Sequence, residues 1–133
     1  MPASIKIVAV IYIFILAGIV VLADVRQTQY LFTFIRNLPF GDKIGHFCLM
    51  GMFSLLVNLA LSAKTVRLWK LNYLLGSLIV LAVATLEEFS QMFVRGRTFD
   101  AGDLLADFAG IFIFGEIARF MYRKFSQVKP YQR

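Results

Sequence analysis

The sequence predicts an all-α fold, a bundle of four transmembrane helices with a short interfacial helix between the first two, all in one domain over residues 1–133. Three observations lead there. Apolar residues make up 59% of the chain, and mean hydropathy is +0.74, well above the globular norm. Charged residues are only 17%, too few to cover a water-soluble core of this size. Runs almost free of charge recur at four places, each near the roughly 20 residues with which a helix crosses a hydrocarbon layer of about 30 Å. Helices are expected because a lone segment satisfies its own backbone hydrogen bonds in lipid only that way.

The first span, about 7–23, carries no charge. Lys6, the apolar run and Val21-Leu22-Ala23 also have the order of a signal peptide, but the run is long for one and is read as an anchor. In the next segment Leu31, Phe34, Ile35 and Leu38 recur at helical spacing opposite Gln29, Thr33, Arg36 and Asn37. That pattern predicts the interfacial helix, and Pro39 should end it. The second span, about 44–63, contains His46 and Cys48 as its titratable groups. The third, about 71–94, is apolar to Leu86 and then carries Glu87, Glu88 and Gln91. The fourth, about 104–122, holds Asp107, Glu116 and Arg119. Tyr30, Phe32, Phe40, Trp69, Tyr73 and Tyr122 stand near the boundaries, where amphipathic rings are favoured at headgroup level.

Charge placement sets an expected orientation. Lys6, Lys64, Arg67, Lys70, Arg119, Arg123, Lys124, Lys129 and Arg133 fall on one side, opposed by Glu116 alone. On the other side, Arg26, Arg36, Lys43, Arg95 and Arg97 meet Asp24, Asp42, Glu87, Glu88, Asp100, Asp103 and Asp107. Positive residues collect in the cytoplasm, so a multi-pass protein of the cytoplasmic membrane with both termini inside is expected. The same bias accounts for the net charge of +6. No basic stripe interleaved with aromatics points to nucleic acid, which is not an expected partner. Cys48 is the single cysteine, so no internal disulfide can form; it is expected to be a small buried hydrophobe pointing away from His46.

The polar residues converge. Asp42, Lys43 and His46 open the second span, Glu87, Glu88, Gln91, Arg95 and Arg97 close the third, and Asp100, Asp103 and Asp107 lead into the fourth. All are expected at the outer leaflet. An Asp within a span costs at least ~2.5 kcal/mol near the helix centre, so such groups normally face protein or a water-filled cavity. Structural roles compete with a shared site: Asp42 and Asp103 as helix caps, Lys43 reaching to headgroups, Glu87 or Glu88 pairing with Arg95 or Arg97 to tie helices. Glu116 and Arg119, at i and i+3, are read as a structural pair. His46 with carboxylates from Glu88, Asp103 or Asp107 has the donor types for a divalent ion, but no dedicated ligand spacing supports one and no resident metal is expected. No cofactor is assigned.

The order Asp42-Lys43-x-x-His46, then Glu88-x-x-Gln91, Arg97 and Asp103-x-x-x-Asp107-x-x-Gly110 resembles the VanZ-like family of small bacterial membrane proteins over residues 42–110. The family takes its name from a member linked to resistance against the glycopeptide teicoplanin, and the resemblance implies a bacterial envelope protein. It places functional roles on Asp42, Lys43, His46, Glu88, Gln91, Arg97 and Asp103, and close packing on Gly110. Asp107 stands where the family pattern usually has Asn.

Chemically, Lys43 and Arg97 suit an anionic headgroup, with Asp42, Gln91 and Asp107 as further binding residues, while His46, Glu88 and Asp103 are the candidates for acid or base work. The leading expectation is binding, and alteration if chemistry occurs, of a membrane lipid or lipid-linked wall precursor. No serine elbow, phosphate loop or kinase motif specifies a reaction. The alternatives are an accessory or structural subunit acting with itself or another membrane protein, supported by Ala106 and Gly110 at close-packing spacing, and a small proton-coupled transporter.

Overall fold

The computed structural model describes residues 3–24, 41–93 and 101–127, with the side chains of 16–17, 19–24, 41–42 and 91 outside the description. The expected interfacial helix falls largely outside the described residues. Four helices dominate: α1 (Ala3–Asp24), α2 (Gly41–Ala60), α3 (Leu75–Ser90) and α4 (Ala101–Gln127), with a 3₁₀ turn over Gln91–Phe93 extending α3. The fold is mostly helical, as the sequence predicts. At 20 residues α2 is about 30 Å long, and α4, with 27, is about 40 Å.

One segment departs from the expected helices. Leu71–Leu74, assigned by hydropathy to the start of the third span, is strand β2, antiparallel to β1 (Thr65–Leu68) in register Thr65↔Leu74 and Leu68↔Leu71. The cause lies just upstream. Ser62 and Ala63 take φ of 58° and 52°, and the Ala63 N–H donates to the Asn58 carbonyl at 2.8 Å, closing α2 in a left-handed cap. Thr65 and Val66 then favour extended backbone. Trp69, first of the two loop residues, has φ 58°, the sign a tight hairpin needs at that position. The Leu75 N–H donates to the Lys64 carbonyl at 2.8 Å and shuts the base of the hairpin as α3 begins.

The most extensive packing is between α2 and α4. They run parallel: His46 lies level with Asp107, Ser54 with Ile111, and Asn58 near Gly115. Their backbones meet at Gly110, where a Cβ would strike the Phe47 carbonyl oxygen. Phe47 packs edge-on against Phe114, ring centroids 5.8 Å apart. Helix α3 runs the other way and closes the core of Met50, Phe53, Val80, Ala84 and Ile111. Helix α1 adds Tyr12, whose hydroxyl donates to the Leu49 carbonyl at 3.0 Å and whose ring stacks near Phe53.

Outside this core much of the helical surface is apolar. Phe14, Leu86, Leu105, Phe112 and Phe120 are exposed, as are many other large hydrophobics of α1, α3 and α4. Among the described residues one window, Lys43–Ala60, is long and apolar enough to cross a membrane, with mean hydropathy 1.4; Ala3–Ile15 is a shorter apolar stretch.

The Gly110 contact generates a paired prediction. Gly110→Ala should destabilise the bundle by about 1–3 kcal/mol, because the added methyl meets backbone rather than a movable side chain. Gly45→Ala, in α2 with open space at its Cβ, should be neutral or stabilising. Unfolding of both variants in the same detergent checks this.

Candidate functional site

At one end of the bundle the N-termini of α2 and α4 lie beside the C-terminal part of α3. Helical spacing then does the rest. Lys43 and His46, at i and i+3 of α2, share a face, as do Asp103 and Asp107, at i and i+4 of α4. On α3 the buried residues Gly76, Val80, Ala84 and Glu88 recur every four residues, so the stripe that packs the core also delivers Glu88 to the cluster.

The site is graded in depth. Asp107 and Glu88 are fully buried, while side-chain exposure rises through Asp103 at 17% and His46 at 26% to Lys43 at 40%. The His46 ring is bracketed by carboxylates: Nδ1 lies 2.9 Å from Asp107 Oδ1, and Nε2 lies 3.7 Å from Asp103 Oδ2. Lys43 Nζ sits 3.5 Å from Asp103 Oδ1 at the mouth. A donor atom from each of His46, Glu88 and Asp107 falls within 4.8 Å of the others. Asp107 Oδ2 is buried and has no hydrogen-bond partner among the described residues. Asp103 is in the first turn of α4, where the positive end of the helix dipole favours a carboxylate.

The VanZ/LLP1 family model matches residues 7–122, taking in all four apolar segments and every residue of the cluster. The chain belongs to the VanZ family. No curated protein and no solved structure matches it significantly. VanZ proteins are generally membrane-associated, and membership points to a VanZ-type envelope protein.

Of the residues that the sequence singles out in this VanZ chain, Lys43, His46, Glu88, Asp103 and Asp107 come together. The side chains of Asp42 and Gln91, and all of Arg97, lie outside the described residues. Asp107 is the close partner of His46, deeper than Asp103. Gly110 occupies the close-packing position that the VanZ resemblance implies. Glu116 and Arg119 pair at 3.3 Å on the same helix, as expected. Cys48 is exposed rather than buried, because the neighbouring faces of α2 carry the core.

A second buried polar group has no counterpart in the sequence reading. Ser54 Oγ donates to the Ile111 carbonyl at 2.8 Å, and Asn58 Nδ2 donates to Ser77 Oγ at 2.9 Å and to the Ser54 carbonyl at 2.9 Å. This network ties α2 to α3 and α4. Its signal was Ser54 and Asn58 at i and i+4 inside an apolar run.

The His46–Asp107 contact predicts strong coupling. His46→Ala should cost about 3–5 kcal/mol, because it strips a buried carboxylate of its partner. Asp107→Asn should cost less, since an amide still hydrogen-bonds the ring. In a double-mutant cycle with His46→Ala and Asp107→Ala, followed by unfolding in detergent, the double variant should be milder than the sum by roughly 1–3 kcal/mol.

Proposed function

We propose that this VanZ-family chain crosses the membrane four times, with both termini in the cytoplasm, and holds the anionic headgroup of a membrane lipid or lipid-linked wall precursor at the outer leaflet. The observation that carries the reading is the graded polar cluster at one end of an otherwise apolar bundle, buried at Asp107 and Glu88 and open at Lys43.

Several features support it. Apolar side chains face outward along the bundle, as a lipid-facing surface requires. The opposite end carries the hairpin, with Lys64, Arg67 and Lys70 beside a Trp69 that is 98% exposed, the composition of a cytoplasmic membrane interface. At the polar end Lys43 supplies a charge at the mouth, and Arg97 is assigned as its partner in gripping a phosphate or carboxylate. The positive ends of α2 and α4 reinforce the attraction for an anion. Acyl chains would lie against the exposed apolar faces. Holding a wall precursor in this way would connect the chain to the glycopeptide resistance for which the family is named.

Native mass spectrometry of the gently solubilised protein tests binding. One headgroup class should co-purify with wild type and with Glu116→Gln, and be lost from Lys43→Ala and Arg97→Ala. No selective lipid in wild type, or equal retention in all variants, would move the weight to an accessory subunit whose polar cluster only ties helices together. Orientation has its own check in a Cys48→Ser background. A charged thiol reagent added to intact cells should label Phe93→Cys, while Lys70→Cys should react only after permeabilisation.

A further inference from the structure

We infer that His46, Glu88 and Asp107 form a binding site for one divalent transition-metal ion, zinc or manganese. The three donor atoms lie within 4.8 Å of one another and come from three different helices. His46 Nδ1 and Asp107 Oδ1 stand 2.9 Å apart, close to the separation of about 3.0–3.4 Å between neighbouring ligands held at about 2.1 Å on one ion. The Glu88 carboxylate, held within the same 4.8 Å, supplies the third ligand.

Charge and burial favour an ion. Glu88 and Asp107 are both fully buried, and a dication between two buried carboxylates offsets their mutual repulsion. Asp107 Oδ2, buried and without a hydrogen-bond partner among the described residues, is an acceptor in search of that charge. The imidazole is set for coordination as well. With Nδ1 turned to the ion, Nε2 faces Asp103 Oδ2 at 3.7 Å, beyond hydrogen-bond length but on the side from which a carboxylate orients a ligating histidine. A ring nitrogen among the ligands favours zinc over magnesium and calcium, which take oxygen almost alone, and the two carboxylates also admit manganese.

The ion would also complete the headgroup site. Among the described residues Glu88, Asp103 and Asp107 share the cluster with Lys43 and His46, and a dication there adds positive charge for an anion. Three protein ligands leave coordination positions open, and a headgroup oxygen can fill one. That last step rests on the proposed function; binding of the ion does not.

The test uses the full chain in detergent, stripped with a chelator and titrated separately with Zn²⁺ and Mn²⁺, with bound metal measured after equilibrium dialysis. Wild type and Glu116→Gln should each bind one ion. His46→Gln, Glu88→Gln and Asp107→Asn should bind at least tenfold more weakly, and Asp103→Asn about tenfold more weakly, with helical circular dichroism and gel-filtration profiles unchanged. Pulsed electron paramagnetic resonance of Mn²⁺-loaded wild type should detect coupling to a ring nitrogen, a readout that needs no variant to fold. The inference is overturned by the absence of saturable zinc or manganese binding, by wild-type affinity in folded Asp107→Asn, or by Mn²⁺ without nitrogen coupling. No lipid is added, so failure here leaves the headgroup reading standing, and loss of that reading leaves this one.

Discussion

The near-contact of the α2 and α4 backbones at Gly110 sets the geometry of everything around it. Without a side chain there, the helix lies against the Phe47 carbonyl, and the two axes come close enough for Ser54 to reach the Ile111 carbonyl at 2.8 Å. In lipid the hydrophobic effect gives helices little reason to associate, so close van der Waals contact and hydrogen bonds between helices supply much of the attraction. Gly110 is three residues from Asp107, and Phe47 adjoins His46. The contact that joins the helices therefore also fixes the level at which His46 meets its carboxylate, and the site inherits its precision from packing.

Helix α3 is placed by a different device. Asn58 and Ser77 meet in the interior, Gly76 leaves room for the Asn58 side chain, and Val80 and Ala84 fill the space that follows. The residues that do this share one stripe, and its next position is Glu88. A buried carboxylate at the end of a packed stripe has little freedom to turn away, so the three-helix arrangement holds Glu88 against His46 and Asp107. The buried hydrogen bonds at Asn58 and the charged cluster at the helix ends thus act on the same helix from two heights.

Much of this is legible in the sequence. Titratable groups in or beside apolar runs are conspicuous, so His46, Glu88, Asp103 and Asp107 stand out, and the alternating direction of the helices brings them to one end. Depth could not be read, because Asp103 and Asp107 share a face and only packing decides which one is sealed off. Hydropathy missed the hairpin for a related reason: Leu71, Tyr73 and Leu74 keep the segment hydrophobic enough to join the span despite Asn72, and so short a run does not separate strand from helix. Ser54, Asn58 and Ser77 scarcely interrupt an apolar profile, although they carry a buried network. The left-handed residues at Ser62 and Ala63 carry no glycine signal at all.

The distribution of polar and apolar groups along the axis bears on what the bundle can do. A carrier needs its site near the membrane midplane, reachable from each side in turn. Here the cluster ends at Asp107 and Glu88, and the layer beneath it is Met50, Phe53, Val80, Ala84 and Ile111, of which the last three are fully buried. The next polar group down, Ser54–Asn58–Ser77, spends its donors on helix carbonyls and on its own members. Below Asp107 and Glu88, the buried side chains of this layer among the described residues are apolar, and the Tyr12 hydroxyl at its edge is spent on the Leu49 carbonyl. A polar cluster confined to one end of the bundle is the arrangement that the proposed function needs, since it suits holding a group at one membrane face better than moving it across.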